Sequence, residues 1–132
     1  MTHEEVAAWL DRYIEAWKSY DRAQIADLFS EDAVCRYHPY DPPVEGRDAI
    51  VESWFGEGGH EGAPDRDAPG TYEASYRPVA VDGDVAVATG ISRFNQPGGE
   101  ERNVYYNCFL MRFDGDGRCA EFTEYFMLEP AA

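Results

Sequence analysis

Four polar side chains stand out against an aromatic background: Tyr13, His38, Asn107 and Glu124. An imidazole titrates near neutral pH and can take a proton from a carbon next to a carbonyl. A tyrosine hydroxyl can donate to the enolate oxygen that then develops. A glutamate in an apolar wall is pushed toward its neutral form, so it can serve as an acid or orient the histidine. An asparagine amide can fix a ligand carbonyl. Together these groups would perform cofactor-free acid–base chemistry: isomerisation, aldol cyclisation or dehydration. Each residue also has a plainer reading. His38 precedes Pro39 at a strand end, where a backbone hydrogen bond would satisfy it. Tyr13 sits on an amphipathic stripe, with Trp9 and Trp17 about one helical turn to either side. Arg36 lies on the same strand face as His38 by alternation, and a salt bridge from it to Glu124 would close the fold.

Other motifs fail on spacing. His60-Glu61 has no second histidine at the zincin distance, and the three histidines are scattered at 3, 38 and 60. Asp114-Gly115-Asp116-Gly117 lacks the later ligands of a calcium loop and reads as a hairpin turn. No glycine-rich phosphate loop or serine elbow is visible. No metal and no cofactor is expected.

The elements that must position these groups follow from periodicity. Residues 2–19 carry Val6, Trp9, Leu10, Tyr13, Ile14 and Trp17 on one helical stripe, and Thr2 with Glu5 has capping-box spacing. Asp21 can cap a second short helix whose apolar face is Ile25, Leu28 and Phe29. Residues 32–39 read as a strand ended by prolines. A third helix begins near Arg47, with Ile50, Val51, Trp54 and Phe55 inward. Residues 56–70 form a Gly/Pro-rich loop, either a lid or a solvated connection. Four strands follow near 71–81, 84–95, 102–113 and 118–129, separated by Asp82-Gly83, Pro97-Gly98-Gly99 and Asp114–Gly117. Helices early and strands late predict an α+β fold with helices packed on one face of a curved antiparallel sheet. A concave sheet of this kind leaves a cavity for a small molecule.

Size and charge set the bounds. With 132 residues the chain suits one domain, 1–132, and one core. Against 11 basic residues stand 26 acidic ones, a formal charge of −15, which disfavours nucleic acid and anionic membrane surfaces as partners. Cys35, Cys108 and Cys119 cannot all pair, and together with the lack of a signal-like or membrane-spanning run they predict a reduced, cytoplasmic setting.

The run Arg12-Tyr13-Ile14, Asp21, Ile25, Leu28-Phe29, Asp32-Ala33-Val34, His38-Pro39 and Gly46-Arg47-Asp48-Ala49-Ile50 resembles the N-terminal half of SnoaL-like polyketide cyclases and ketosteroid isomerases. Met111-Arg112-Phe113-Asp114, Gly117-Arg118, Phe122 and Glu124-Tyr125-Phe126 resemble their final hairpin. The chain is thus similar, over nearly its whole length, to the nuclear-transport-factor-2-like superfamily. The resemblance implies a cone-shaped roll, a cystatin-like architecture wrapped by the three N-terminal helices. It aligns Tyr13 with the isomerases' oxyanion-donating tyrosine. It puts His38 where they carry a catalytic aspartate, and Phe109 where they carry a protonated aspartate. One part is kept, one changed in kind and one lost, so authentic steroid isomerase activity is not expected. The resemblance also places Phe122, Glu124 and Phe126 toward the pocket. If Phe109 faces it, so do Tyr105, Asn107 and Met111.

Three function classes remain open. The first is an acid–base enzyme with His38 as base, Tyr13 as enolate stabiliser and Glu124 as second acid–base group. Its ligand would be small, cyclic or aromatic, held by Trp9, Trp17, Arg36, Trp54, Tyr105, Asn107, Phe109, Phe122 and Phe126. The second is a carrier with the same cavity. The third is a homodimerisation module using the outer face of the sheet, with Tyr106, Cys108, Leu110 and Tyr125. An epoxide-opening hydrolase also occurs on this fold, but only Arg36 and Glu124 imitate its Asp-Arg-Asp set, and no second carboxylate matches.

Overall fold

A computed structural model describes residues 1–55, 72–95 and 101–130. Helix α1 (His3–Ser19) opens with a full capping box: Glu5 N–H donates to Thr2 Oγ1 and Thr2 N–H donates to Glu5 Oε1. Its buried stripe is Val6, Trp9, Leu10, Tyr13, Ala16 and Trp17. Tyr20 ends it in the left-handed region at φ 52°. The Asp21 carboxylate accepts from the N–H groups of Ala23 and Gln24 and so caps α2 (Arg22–Asp27). The Trp9 indole donates to the Leu28 carbonyl at 2.9 Å, pinning α1 to the end of α2. Strand β1 (Phe29–Arg36) leads through the two-residue β2 (Val44–Glu45) to α3 (Arg47–Ser53), which buries Ile50 and Val51.

The remaining strands are β3 (Tyr72–Asp82), β4 (Val85–Asn95), β5 (Glu101–Phe113) and β6 (Cys119–Leu128). They complete one six-stranded sheet in the order β2-β1-β6-β5-β4-β3. Three helices packed on one face of this curved sheet make the α+β cone expected from the sequence. Pro78 falls on β3, an edge strand, where a missing N–H is tolerated.

Two details differ from the sequence reading. The sheet is mixed, because β1 pairs with β6 in parallel while every other pairing is antiparallel. Strands β3 to β6 follow one another in sequence and pair as antiparallel neighbours, whereas β1 and β6 are distant in sequence, so nothing local dictates their direction. Strand β1 also begins and ends three residues earlier than residues 32–39. Its acidic Glu31 and Asp32 face solvent, which disguises the first half as loop. The candidate lid, 56–70, and the Pro97-Gly98-Gly99 turn lie outside the described residues.

Candidate active site

On the inner faces of β5 and β6, burial fades in the same direction. On β6, Cys119 and Phe122 are buried, Glu124 is partly exposed, and Phe126 and Leu128 are exposed. Running the other way on β5, Phe113, Met111, Phe109 and Asn107 are buried and Tyr105 is partly exposed. The cone therefore has a closed end and an open end, and Glu124 lies at the transition.

The closed end is filled by rings. Tyr13 has Trp9, Trp17, Trp54, Tyr76, Phe109 and Phe122 around it, with ring centroids 5.5 to 6.2 Å away. Trp17 stacks on Trp54 at 4.5 Å. Tyr13 is only 4% exposed. Burial pushes its phenol well above the usual tyrosine range, Glu124 adds to that, and a hydrogen bond with Trp17 opposes it. The structure thus brings Tyr13, Trp9, Trp17, Trp54, Phe109 and Phe122 together as sequence reasoning expects, but as a packed core.

At the transition the polar groups converge. Asn107 Nδ2 donates to Glu124 Oε2 at 2.8 Å, and Ser92 Oγ donates to Asn107 Oδ1 at 3.0 Å. Ser92 and Asn107 are 3% and 6% exposed. The Tyr76 hydroxyl meets that of Tyr72 at 3.2 Å, and against the larger effect of burial Tyr72 and Ser92 both lower the Tyr76 phenol. Gly90 makes this possible. A Cβ there would sit 2.1 Å from the Ser75 carbonyl oxygen and 2.4 Å from the Tyr76 ring, so only glycine lets Tyr76 lie across β4.

The Glu124 carboxyl keeps a little surface exposure, yet enough protein surrounds it that desolvation dominates and pushes its pKa up to about 7. The Asn107 hydrogen bond and the proximity of His38 pull the other way. Glu124 in turn raises the phenols of Tyr13, Tyr37, Tyr72 and Tyr76 and the Cys35 thiol, all of which burial has already raised more. Among the described residues, Glu124 is the carboxylate the buried tyrosines share.

His38 stands at the open rim, 38% exposed at its side chain. Its Nδ1 lies 2.8 Å from Asp41 Oδ2, and its ring lies 5.0 Å from Phe126 and 5.1 Å from Tyr40. Tyr105 packs edge-on to Phe126 at 5.3 Å. A groove of about 880 Å³ opens here, its lining including His38, Tyr40, Asn107 and Phe126 as well as the outward-facing Arg77, Tyr106, Cys108, Tyr125 and Met127. That volume suits a small molecule.

Arg36 does not join the site. Parallel register sets Cys35 beside Phe122 and Arg36 beside Thr123, so Cys35 faces inward and Arg36 outward. Glu124 is held by Asn107, and no ion pair links it to Arg36. The chain leaves the strand after Arg36, and strand alternation therefore says nothing about His38. Sequence reasoning missed Ser92, Tyr72, Tyr76 and Asp41. The first three alternate onto the inner faces of β3 and β4, the one signal that could have found them. Asp41, three residues after His38, closes a turn through its N–H to the His38 carbonyl. Among the described residues no group of three or more His, Cys, Asp or Glu side chains is disposed to hold a metal.

Three helices packed on a curved six-stranded sheet match the cone fold of the nuclear-transport-factor-2-like superfamily. The model of the SnoaL-like domain matches residues 10–122, and the chain belongs to that family. Solved structures agree on the fold. An NTF-2 like protein of unknown function from Burkholderia xenovorans LB400 superposes with a TM-score of 0.65 at 19% identity, covering 98% of this chain and 88% of that one. An LEH-like epoxide hydrolase from M. tuberculosis gives 0.63 at 14% identity, covering 95% and 84%. No curated protein matches the sequence.

Proposed function

We propose that this SnoaL-like domain is a cofactor-free acid–base catalyst acting on a small cyclic or aromatic carbonyl compound, with Glu124 as the group that moves the proton. The observation that carries this reading is a carboxyl placed on the inner wall of the cone at its open end, held by an amide and poised near neutral pH. Ionised Glu124 takes a proton from the carbon next to the carbonyl, and the electron pair of that C–H bond moves onto the carbonyl oxygen as an enolate. Returning the proton at another carbon isomerises the substrate; attack of the enolate carbon on a second carbonyl cyclises it, and protonated Glu124 returns its proton to the alkoxide oxygen that forms. His38 at the rim, whose charge acts on the Glu124 carboxyl, serves as the second proton-transfer group. Phe126 and Tyr105 supply apolar contact at the mouth. Tyr13 is assigned to the aromatic floor instead of the enolate oxygen, because six rings enclose it.

Proton NMR in D2O tests this even while the substrate is unidentified. A panel of cyclic and aryl ketones is scanned for protein-dependent exchange of the protons next to the carbonyl. Exchange should fall by roughly 100-fold or more in Glu124→Gln. Equal rates in wild type and variant would remove Glu124 from the chemistry. Binding without exchange would leave the carrier reading.

A second property rests on a separate observation. The outer face of the sheet exposes Tyr106 (47%), Leu110 (42%), Tyr125 (44%) and Met127 (75%), a patch that is costly in water. We infer that two copies meet through this face.

A further inference from the structure

The reach of Glu124 toward a substrate depends on which of its oxygens is already engaged. Oε2 accepts from Asn107, whereas Oε1 has no hydrogen-bond partner among the described residues. An amide can present either end, and only its N–H2 end can satisfy an ionised carboxylate, which donates nothing. Something must hold the amide that way round. Ser92 does so, because its hydroxyl donates to Asn107 Oδ1 and thereby turns Nδ2 toward Glu124.

We propose that Ser92 is a positioning residue for Glu124. Acting through Asn107, it engages Oε2 and leaves Oε1 as the oxygen that exchanges the substrate proton. The choice of Oε1 rests on the acid–base reading above; the positioning does not. Tyr72 and Tyr76 stand near this pair, their hydroxyls 3.2 Å apart. The Ser92–Asn107–Glu124 chain ends on the one group that only accepts. Burial restricts the pair that precedes it: Ser92 is 3% exposed and Asn107 6%. No steric need accounts for a hydroxyl at Ser92, since β4 already carries Ala86 and Ala88 on the same face.

Several titratable groups face Glu124 and would contribute to any pH profile. They are Tyr13 from α1, Cys35 and Tyr37 from β1 and the residue after it, Tyr72 and Tyr76 from β3, and His38 at the rim. Burial holds the tyrosines and Cys35 protonated through the neutral range.

The test follows the Glu124 carboxyl by ¹³C NMR titration in wild type, Ser92→Ala, Asn107→Leu and the double variant. Loss of the Ser92 hydroxyl frees the amide, so the Glu124 midpoint should rise by about half a pH unit or more. Asn107→Leu should raise it at least as far, and the double variant should match Asn107→Leu, because Ser92 acts through Asn107. Ser92→Thr keeps a hydroxyl and should restore the wild-type midpoint; it carries the comparison if Asn107→Leu does not fold. A Ser92→Ala midpoint equal to that of wild type overturns the proposal wherever the wild-type value falls. A wild-type midpoint near the ordinary 4.5, still raised in Ser92→Ala, would support the chain while removing the acid–base role.

Discussion

At the scale of single residues, burial sets the behaviour of Glu124. Its pKa rises from 4.5 to about 7 because the ionised form loses solvation that one amide hydrogen bond does not replace. For an acid whose folded pKa exceeds its unfolded one, the folded state binds the extra proton between the two values. Stability is therefore lost as pH climbs from 4.5 to 7, and the penalty is complete above that window. Glu124→Gln lacks this penalty. Denaturant unfolding should find the variant level with wild type below pH 4.5 and more stable above pH 7, by up to about 3 kcal/mol. Tyr13 gives the opposite contrast. Tyr13→Phe keeps the ring among its six neighbours and should change ketone exchange by less than about threefold, whereas Tyr13→Ala should cost about 3–5 kcal/mol of stability.

Part of this site is legible in the sequence. Alternation on β5 and β6 correctly groups Asn107, Phe109, Phe122 and Glu124, since a regular strand keeps its period of two. The same rule misplaces Arg36, because β1 starts earlier than its acidic residues suggest and ends before His38. Ser92 and Tyr76 are hidden for a different reason. A polar residue on a strand shows its parity but not its partner, and the Ser92–Asn107 and Tyr72–Tyr76 contacts depend on where the folded strands set these side chains.

Among the elements, the close approach of β3 to β4 at Gly90 is the feature on which the site depends. Gly90 pairs with both Tyr76 and Asn107, and the strands approach so closely that a Cβ would overlap the Ser75 backbone oxygen. Backbone atoms cannot step aside as a side chain does, so Gly90→Ala should destabilise the fold by about 3 kcal/mol or more, read as a lower unfolding midpoint. At the other end of the chain the capping box is a local device. Thr2→Ala should cost about 1 kcal/mol and leave the Glu124 titration where it was. The helix boundaries are readable in the sequence because caps and apolar period coincide there. The parallel β1–β6 pairing is not, because no turn joins those strands.

For the whole molecule, a charge of −15 and an apolar sheet face pull in different directions. Dispersed acidic charge keeps copies apart, and the patch of Tyr106, Leu110, Tyr125 and Met127 favours bringing two together. If the face is a dimer interface, elution volume should fall with rising protein concentration, and Leu110→Glu with Tyr125→Glu should hold the protein as a monomer. An elution volume independent of concentration in wild type would argue against the dimer. No helix among the described residues is long and apolar enough to cross a membrane.

The cone, its ring-packed floor and its open rim all lead to one carboxyl group. The most direct test of its role is a ¹³C titration of the wild-type protein, with the Glu124 signal assigned by its absence in Glu124→Gln. A carboxyl desolvated by the surrounding protein and held by the Asn107 amide should titrate with a midpoint of about 7. A midpoint near 4.5 would mean that Glu124 is an ordinary solvated carboxylate, and would contradict its role as the proton-transfer group.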